Sequence, residues 1–145
     1  MFKHLLLPID GSALSLRTVD TGIALAARLD ARVFAFHVLP PFPAVTYFAE
    51  VLLAPQDVYT KESVASAERY LAEVHLRANA AGVVSDGGYA FDHRPYTAII
   101  GAAKKHQCDL IVMGSSGWHS LERLLLGSET HKVIINCDVP VLVCH

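Results

Sequence analysis

The sequence predicts an α/β fold, a single doubly wound, open parallel sheet with helices on both faces. Short apolar runs alternate along the chain with longer segments of helical periodicity. Several of the runs are apolar at every position, which is typical of strands covered on both sides. The chain has 145 residues, of which 52% are hydrophobic and 18% charged, so we expect one domain over residues 1–145.

Two strands and two helices are predicted in the first half of the chain. The apolar run Lys3–Ile9 has the length of a strand, and Arg32–Leu39 is a second run rich in Val and Phe. Between them, apolar residues recur at helical spacing over Ser12–Leu29, and Ser12 is the predicted N-cap. A long helix is predicted from about Asp57 to Ala81, where a glycine follows.

Three strands and two helices are predicted in the second half. The third strand is Val83–Phe91, and a helix from Pro95 to about His106 follows it, with the proline in the first turn. Asp109–Met113 is a short buried strand. After a glycine-punctuated segment, Ser128–Cys137 is the last helix and Val139–Cys144 is the last strand.

Ligands of such sheets bind at the carboxyl ends of the strands, so the residues that follow the strands are candidates for a site. Asp10-Gly11-Ser12 follows the first strand, and Gly114-Ser115-Ser116-Gly117 follows the fourth. After nine intervening residues, Gly127-Ser128 begins the last helix. Glycines let backbone amides approach an anion closely, and a helix N-terminus adds further amide donors. The spacing G-x2-G-x9-G-[ST] therefore predicts a phosphate cradle.

The common phosphate motifs are absent, since the chain contains neither GxxxxGK[ST] nor two glycines at GxG spacing. The nearest possible cations are Arg123, Lys132, His119 and His131. Because this supply of positive charge is modest, we expect Mg²⁺ to share the phosphate charge. Asp10 is then a candidate metal ligand or a partner of the ribose hydroxyls. The alternative is that these glycines form only a loop and a turn.

Composition argues against other classes of function. Twelve Lys and Arg against 14 Asp and Glu leave no excess of positive charge, which argues against a nucleic-acid-binding protein. No run approaches 18 apolar residues, so no membrane-spanning helix is expected, and the N-terminal run is predicted to be a strand and not a signal peptide. The three cysteines, Cys108, Cys137 and Cys144, form no CxxC pair, which favours a reducing compartment.

These motifs resemble those of the universal stress protein family, in its ATP-binding branch. The resemblance covers essentially the whole chain and depends on Pro8–Ser12, Asp109–Gly117, Gly127–Ser128 and Cys137–Val143. The G-x2-G-x9-G-[ST] spacing is that family's nucleotide signature. The resemblance implies a Rossmann-like sheet of five parallel strands in the order 3-2-1-4-5. It also implies a cytoplasmic homodimer that pairs through the strand Val139–Cys144.

The resemblance further implies an adenine nucleotide, ATP or AMP, and assigns eight residues to its site. They are Asp10, Val38 and Met113 near the adenine, Gly114, Gly117, Gly127 and Ser128 at the phosphates, and Thr130, by its position, as a second hydroxyl there. Glu129 departs from the family pattern, in which a small apolar residue is usual, and we expect its carboxylate to repel phosphate.

Three functions are compatible with the sequence. The favoured one is a nucleotide-binding regulatory protein of the stress response with an unidentified protein partner, because no GxSxG elbow or other catalytic set is present. The second is a slow ATPase or phosphoryl-transfer enzyme with Asp10 as the general base. The third is a dimeric interaction module without nucleotide. The apolar segment Leu39–Tyr59 is expected to pack over the sheet or to serve as a lid or partner surface.

Overall fold

The computed structural model describes residues 1–42, 56–115 and 126–145. Every predicted strand and helix is present, with ends that differ from the predicted ones by two residues at most. In chain order the elements are β1 (His4–Ile9), α1 (Ala13–Leu29), β2 (Arg32–Leu39), α2 (Gln56–Ala80), β3 (Ser85–Phe91), α3 (Pro95–Lys105), β4 (Leu110–Gly114), α4 (Ser128–Asn136) and β5 (Val141–Cys144).

The five strands form one parallel sheet in the order β3-β2-β1-β4-β5. The predicted fold class and strand order are therefore confirmed, and the fold is Rossmann-like. The last strand begins at Val141 and not at Val139, because Pro140 has no amide hydrogen to add to the ladder. The Pro140 carbonyl still accepts a hydrogen bond of 2.9 Å from the Ile111 amide.

Helices cover both faces of the sheet, which explains why the central strands are apolar at every position. All six residues of β1 are buried, and they alternate between two cores. Leu5 and Leu7 pack against Val19 of α1 and Val74 of α2, whereas Leu6 packs against Ile99 of α3 and the apolar residues around it. A strand with a core on each side has no polar face, and this is why periodicity predicted a parallel sheet.

The start of α1 fixes the chain at the carboxyl end of β1. As predicted, Ser12 is the N-cap, since it has extended backbone angles and its Oγ accepts a hydrogen bond of 3.1 Å from the Ser15 amide. None of the helices in the described ranges is long and apolar enough to cross a membrane.

The predicted segment Leu39–Tyr59 falls largely on residues 43–55, which lie outside the described residues. Its two ends meet. The Tyr59 hydroxyl donates to the Pro40 carbonyl at 2.8 Å, and the rings of Phe42 and Tyr59 are edge to face with centroids 5.4 Å apart. The N-terminus of α2 is thereby held beside the carboxyl end of β2.

Candidate functional site

The turn after β1 holds Asp10 in one orientation. The Asp10 Oδ1 atom accepts a hydrogen bond of 2.9 Å from the Ser12 amide, and the Asp10 amide donates to Ser15 Oγ at 3.2 Å. No donor among residues 1–42, 56–115 and 126–145 reaches Oδ2. One carboxylate oxygen of a half-buried Asp10 is therefore available at the carboxyl edge of the sheet.

Gly11 is required between Asp10 and Ser12. Its φ is +81°, in the left-handed region that side chains with a Cβ disfavour. A Cβ added there would also overlap the ring of Tyr70 on α2. The bare backbone of Gly11 therefore lets α2 pack directly on the β1–α1 turn.

A cavity of about 540 Å³ lies at this edge, between the ends of β1 and β2 and the N-terminal half of α2. Its size is within the range of small-molecule sites. Its walls combine a few polar groups with apolar ones. They include Asp10, Ser12, His37, Val38, Ser66 and Tyr70.

His37 is the buried polar residue of this cavity, with 6% of its surface exposed. Its Nδ1 atom lies 2.7 Å from the Ile9 carbonyl oxygen, and its ring is edge to face with that of Tyr70, with centroids 5.3 Å apart. The sequence motifs selected neither His37 nor Tyr70. The available signal for His37 was a polar residue near the carboxyl end of an otherwise apolar strand.

The two glycine-containing parts of the predicted cradle meet where β4 ends and α4 begins. The Thr130 hydroxyl donates to the Gly114 carbonyl at 2.9 Å, and the Gly127 amide donates to the Ser115 carbonyl. Thr130 is 1% exposed, so its hydroxyl serves this contact. Its part in phosphate binding stays a prediction.

The N-terminus of α4 leaves amide groups without helical partners. Its first helical hydrogen bond runs from the His131 amide to the Gly127 carbonyl, at 2.9 Å. The amides of Ser128, Glu129 and Thr130 precede that bond, so the helix supplies no acceptor for them. Such amides, together with the helix dipole, attract anions.

The sequence position of Glu129 suggested that its carboxylate faces the phosphate cradle, but the structure gives the carboxylate other contacts. Its Oε2 atom accepts a hydrogen bond of 3.0 Å from the Tyr96 amide in the first turn of α3, and Oε1 lies 3.2 Å from Lys132 Nζ. The side chain of Arg94 does not cap α3, so the Glu129 carboxylate takes that part. The negative charge is thus engaged by α3 and by Lys132, which weakens the expected repulsion of phosphate.

The predicted site residues fall into two adjacent places. Val38 and Met113 are each 2% exposed, with side chains in the core under α3 and α4, and Val38 also borders the cavity. Gly114, Gly127 and Thr130 form the β4–α4 corner. Because β1 pairs with both β2 and β4, the cavity and the corner lie on neighbouring strands. Their ligand contacts stay predictions.

Three of the candidate residues from the sequence lie outside the described residues, in 116–125. They are Gly117, His119 and Arg123. The described residues contain no group of three or more His, Cys, Asp and Glu side chains placed to hold a metal ion.

The strand order and a ligand-sized cavity at the carboxyl edge place the chain among doubly wound α/β proteins. More narrowly, it belongs to the universal stress protein family, whose sequence profile matches residues 1–145. A universal stress protein of Thermus aquaticus is 33% identical over 146 residues, which cover 99% of this chain and 98% of that protein. One from Methanocaldococcus jannaschii is 32% identical over 151 residues, covering 99% and 82%.

Solved structures agree with the fold. A universal stress protein of Lactobacillus plantarum has a TM-score of 0.83 and 22% identity, covering 99% of this chain and 98% of that one. A universal stress protein solved in complex with cAMP has a TM-score of 0.73 and 27% identity, covering 99% and 97%. One from Archaeoglobus fulgidus, solved in complex with dAMP, has a TM-score of 0.65 and 16% identity, covering 99% and 97%.

Proposed function

We propose that this universal stress protein belongs to the ATP-binding branch, binds ATP or AMP at the carboxyl edge of its sheet and acts as a regulatory protein in the stress response. The observation that carries the proposal is the joined corner of Gly114 and Gly127, where the first amides of α4, which have no acceptor within the helix, lie next to the strands that border the cavity. The cAMP complex of a structural neighbour supports an adenine nucleotide as the ligand class.

The phosphates would lie on the corner. The amides of Ser128 and Glu129 point out of the first turn of α4, and the hydrogen bond from the Thr130 hydroxyl occupies the Gly114 carbonyl beside them. Gly117 would complete the cradle. Mg²⁺ prefers phosphate oxygens, waters and one or two carboxylates, and the available Oδ2 of Asp10 fits that donor set.

The adenine and ribose would occupy the cavity over β1 and β2. Val38 and the residues after it provide an apolar wall, with Met113 beneath the neighbouring strand end, and Asp10 provides an acceptor for the ribose hydroxyls or the metal. A mostly apolar pocket with a few convergent polar groups is the usual form of a small-molecule site.

A homodimer through Val139–Cys144 is part of the proposal. The strand β5 lies at the edge of the sheet, and such edges are templates for pairing with another chain. Leu142 on this strand is 38% exposed, and Ile134 and Ile135 on the adjoining α4 are 39% and 63% exposed. A cytoplasmic location is supported by the free thiols of all three cysteines.

Isothermal titration with AMP and with ATP, with and without Mg²⁺, tests the proposal. In Gly127→Val the added side chain should block the phosphates and weaken binding about tenfold or more. The matched control is Gly101→Val on the exposed side of α3, where an added Cβ meets nothing within 4 Å. The proposal would be contradicted if Gly127→Val bound the nucleotide as tightly as the wild type. It would also be contradicted if the wild type bound no nucleotide at millimolar concentration.

Product analysis after long incubation separates binding from slow hydrolysis. Unchanged ATP is the result expected for a binding protein. If ADP accumulates in the wild type and not in Asp10→Ala, the phosphoryl-transfer alternative is correct instead.

A further inference from the structure

His37 is a buried polar side chain whose role the phosphate cradle does not explain. It is 6% exposed and lies on the same sheet face as Val33 and Ala35, toward α1 and α2. Together with Tyr70, it borders the cavity over β1 and β2. A buried polar group is normally hydrogen-bonded, so both ring nitrogens need partners.

The sheet itself determines which nitrogen of His37 carries the proton. Nδ1 lies 2.7 Å from the carbonyl oxygen of Ile9, its partner in the parallel register. A carbonyl oxygen only accepts, so Nδ1 is the donor and neutral His37 has its lone pair on Nε2. No donor in residues 1–42, 56–115 and 126–145 reaches Nε2, and no buried side-chain nitrogen in these ranges lacks a partner. Nε2 is therefore the acceptor that His37, a residue of the cavity wall, has left for a ligand.

We propose that His37 determines the base specificity of the proposed nucleotide site by accepting a hydrogen bond at Nε2 from the 6-amino group of adenine. This inference depends on the proposed nucleotide binding. The cavity offers a fixed acceptor, and among purines the 6-amino group is a donor whereas the 6-oxo group of hypoxanthine or guanine is an acceptor.

A 6-oxo purine is disfavoured because the tautomer of His37 resists change. Donating from Nε2 to a 6-oxo group would leave a lone pair on Nδ1, facing the Ile9 carbonyl oxygen at 2.7 Å. That change breaks a buried hydrogen bond and places two acceptors together. A site built to receive a donor rejects analogues that lack it, since its own polar group is then left unpaired.

Three nucleotides that differ at one position test the inference. AMP carries the 6-amino donor, purine riboside 5′-monophosphate lacks it, and IMP replaces it with an acceptor. The wild type should bind AMP about tenfold or more tightly than either of the others, by isothermal titration.

The variant His37→Asn keeps a donor for the Ile9 carbonyl and removes Nε2. It should lose about tenfold in affinity for AMP and keep the affinity of the wild type for purine riboside monophosphate to within about twofold. The matched control is His75→Asn, because His75 Nδ1 also makes a hydrogen bond, of 2.8 Å to Ser85 Oγ, but lies away from this cavity. It should keep the preference of the wild type for AMP.

Nitrogen NMR of the His37 ring tests the same inference without a substitution. The ring should be protonated at Nδ1, and its Nε2 resonance should move when AMP binds and stay in place when purine riboside monophosphate binds. An Nε2-protonated tautomer, or an unchanged preference for AMP in a folded His37→Asn protein, overturns the inference alone. If the wild type binds none of the three nucleotides, the proposed function and the inference both fail.

Discussion

The amino and carboxyl edges of the sheet each carry an aspartate beside the end of β1, and the aspartate at the carboxyl edge borders a cavity. At the amino edge, the two Asp109 oxygens accept hydrogen bonds of 2.8 and 3.0 Å from the amides of Lys3 and His4, and the Asp109 amide donates back to the His4 carbonyl. At the carboxyl edge, Asp10 Oδ1 accepts a hydrogen bond from the Ser12 amide, and no donor in the described ranges reaches Oδ2.

The buried histidines of the two edges differ in the same way. His4 Nδ1 lies 2.9 Å from the His106 carbonyl oxygen, and the His4 ring lies edge to face with Phe34 in the core. His37 makes the equivalent backbone contact and borders the cavity. Similar side chains thus stabilise the fold at the amino edge, where described residues occupy their polar atoms. At the carboxyl edge, the part of the chain that the structure describes leaves polar atoms for the proposed site.

The largest effect on stability is expected from Gly11→Ala at the carboxyl edge. The substitution combines an unfavourable positive φ with an overlap of the Tyr70 ring, so the free energy of unfolding should fall by about 2–3 kcal/mol in urea denaturation. Gly82→Ala is the control, since its φ of +72° is similar and nothing lies within 4 Å of an added Cβ. It should lose about 1 kcal/mol. Equal losses would show that Tyr70 does not press on Gly11.

Replacing the two aspartates should separate stability from binding. Asp109→Ala leaves two backbone amides without their carboxylate, so unfolding should become easier by about 2 kcal/mol while nucleotide affinity is unchanged. Asp10→Ala removes one such bond, so it should cost about 0.5–1 kcal/mol and weaken binding of Mg-ATP. Urea denaturation and calorimetric titration of both variants check this, and an Asp109→Ala protein that is stable but binds poorly would reverse the comparison.

His4 should make the amino edge sensitive to acid. Burial, aided by the charge of Arg32, lowers the pKa of His4 from its ordinary value of 6.5. Just below pH 6.5, the unfolded chain therefore binds more protons at His4 than the folded chain does. The contribution of neutral His4 to the free energy of unfolding is complete above pH 6.5, and it is lost as the pH falls through the lower pKa of the folded state. His4→Asn keeps a donor for the His106 carbonyl and removes the titrating ring, so it should reduce the dependence of stability on pH. Urea denaturation midpoints measured above pH 6.5 and about two pH units below that value check this. A slope equal to that of the wild type would assign the effect to other groups.

The smallest effect is expected for the thiol at the amino edge. Burial, and next the charge of Asp109, raises the pKa of Cys108 to about 11. The thiolate is the reactive form and is about a thousandth of the thiol three pH units below the pKa, so iodoacetamide should leave Cys108 unmodified in the folded protein. Mass spectrometry of peptides labelled with and without urea checks this. Rapid labelling in the folded state would mean that this edge opens readily.

Some parts of the site were accessible to sequence reasoning because their signals are local. Asp10 and Ser12 follow a strand directly, and the N-cap bond from the Ser15 amide spans three residues. The glycines at 114 and 127 were selected by spacing, and the structure joins them through Thr130.

Other parts depend on contacts between residues that are distant in the chain. His37 and Ile9 are 28 residues apart, and their contact depends on which strands are neighbours. Glu129 lies 33 residues from the Tyr96 amide that it caps, so position alone suggested repulsion of phosphate when the carboxylate in fact serves another helix.

By itself, the sequence determined the order of strands and helices, the burial of both sheet faces and the capped turn after β1, because hydrophobic period and turn chemistry act over a few residues. Only the tertiary structure decided which polar groups are partnered. Strand order placed the Ile9 carbonyl beside His37, and α2 brought Tyr70 onto Gly11 to border the cavity. Hydrogen bonds and close contacts act over a few ångströms, so packing and not sequence separation selects the residues that meet.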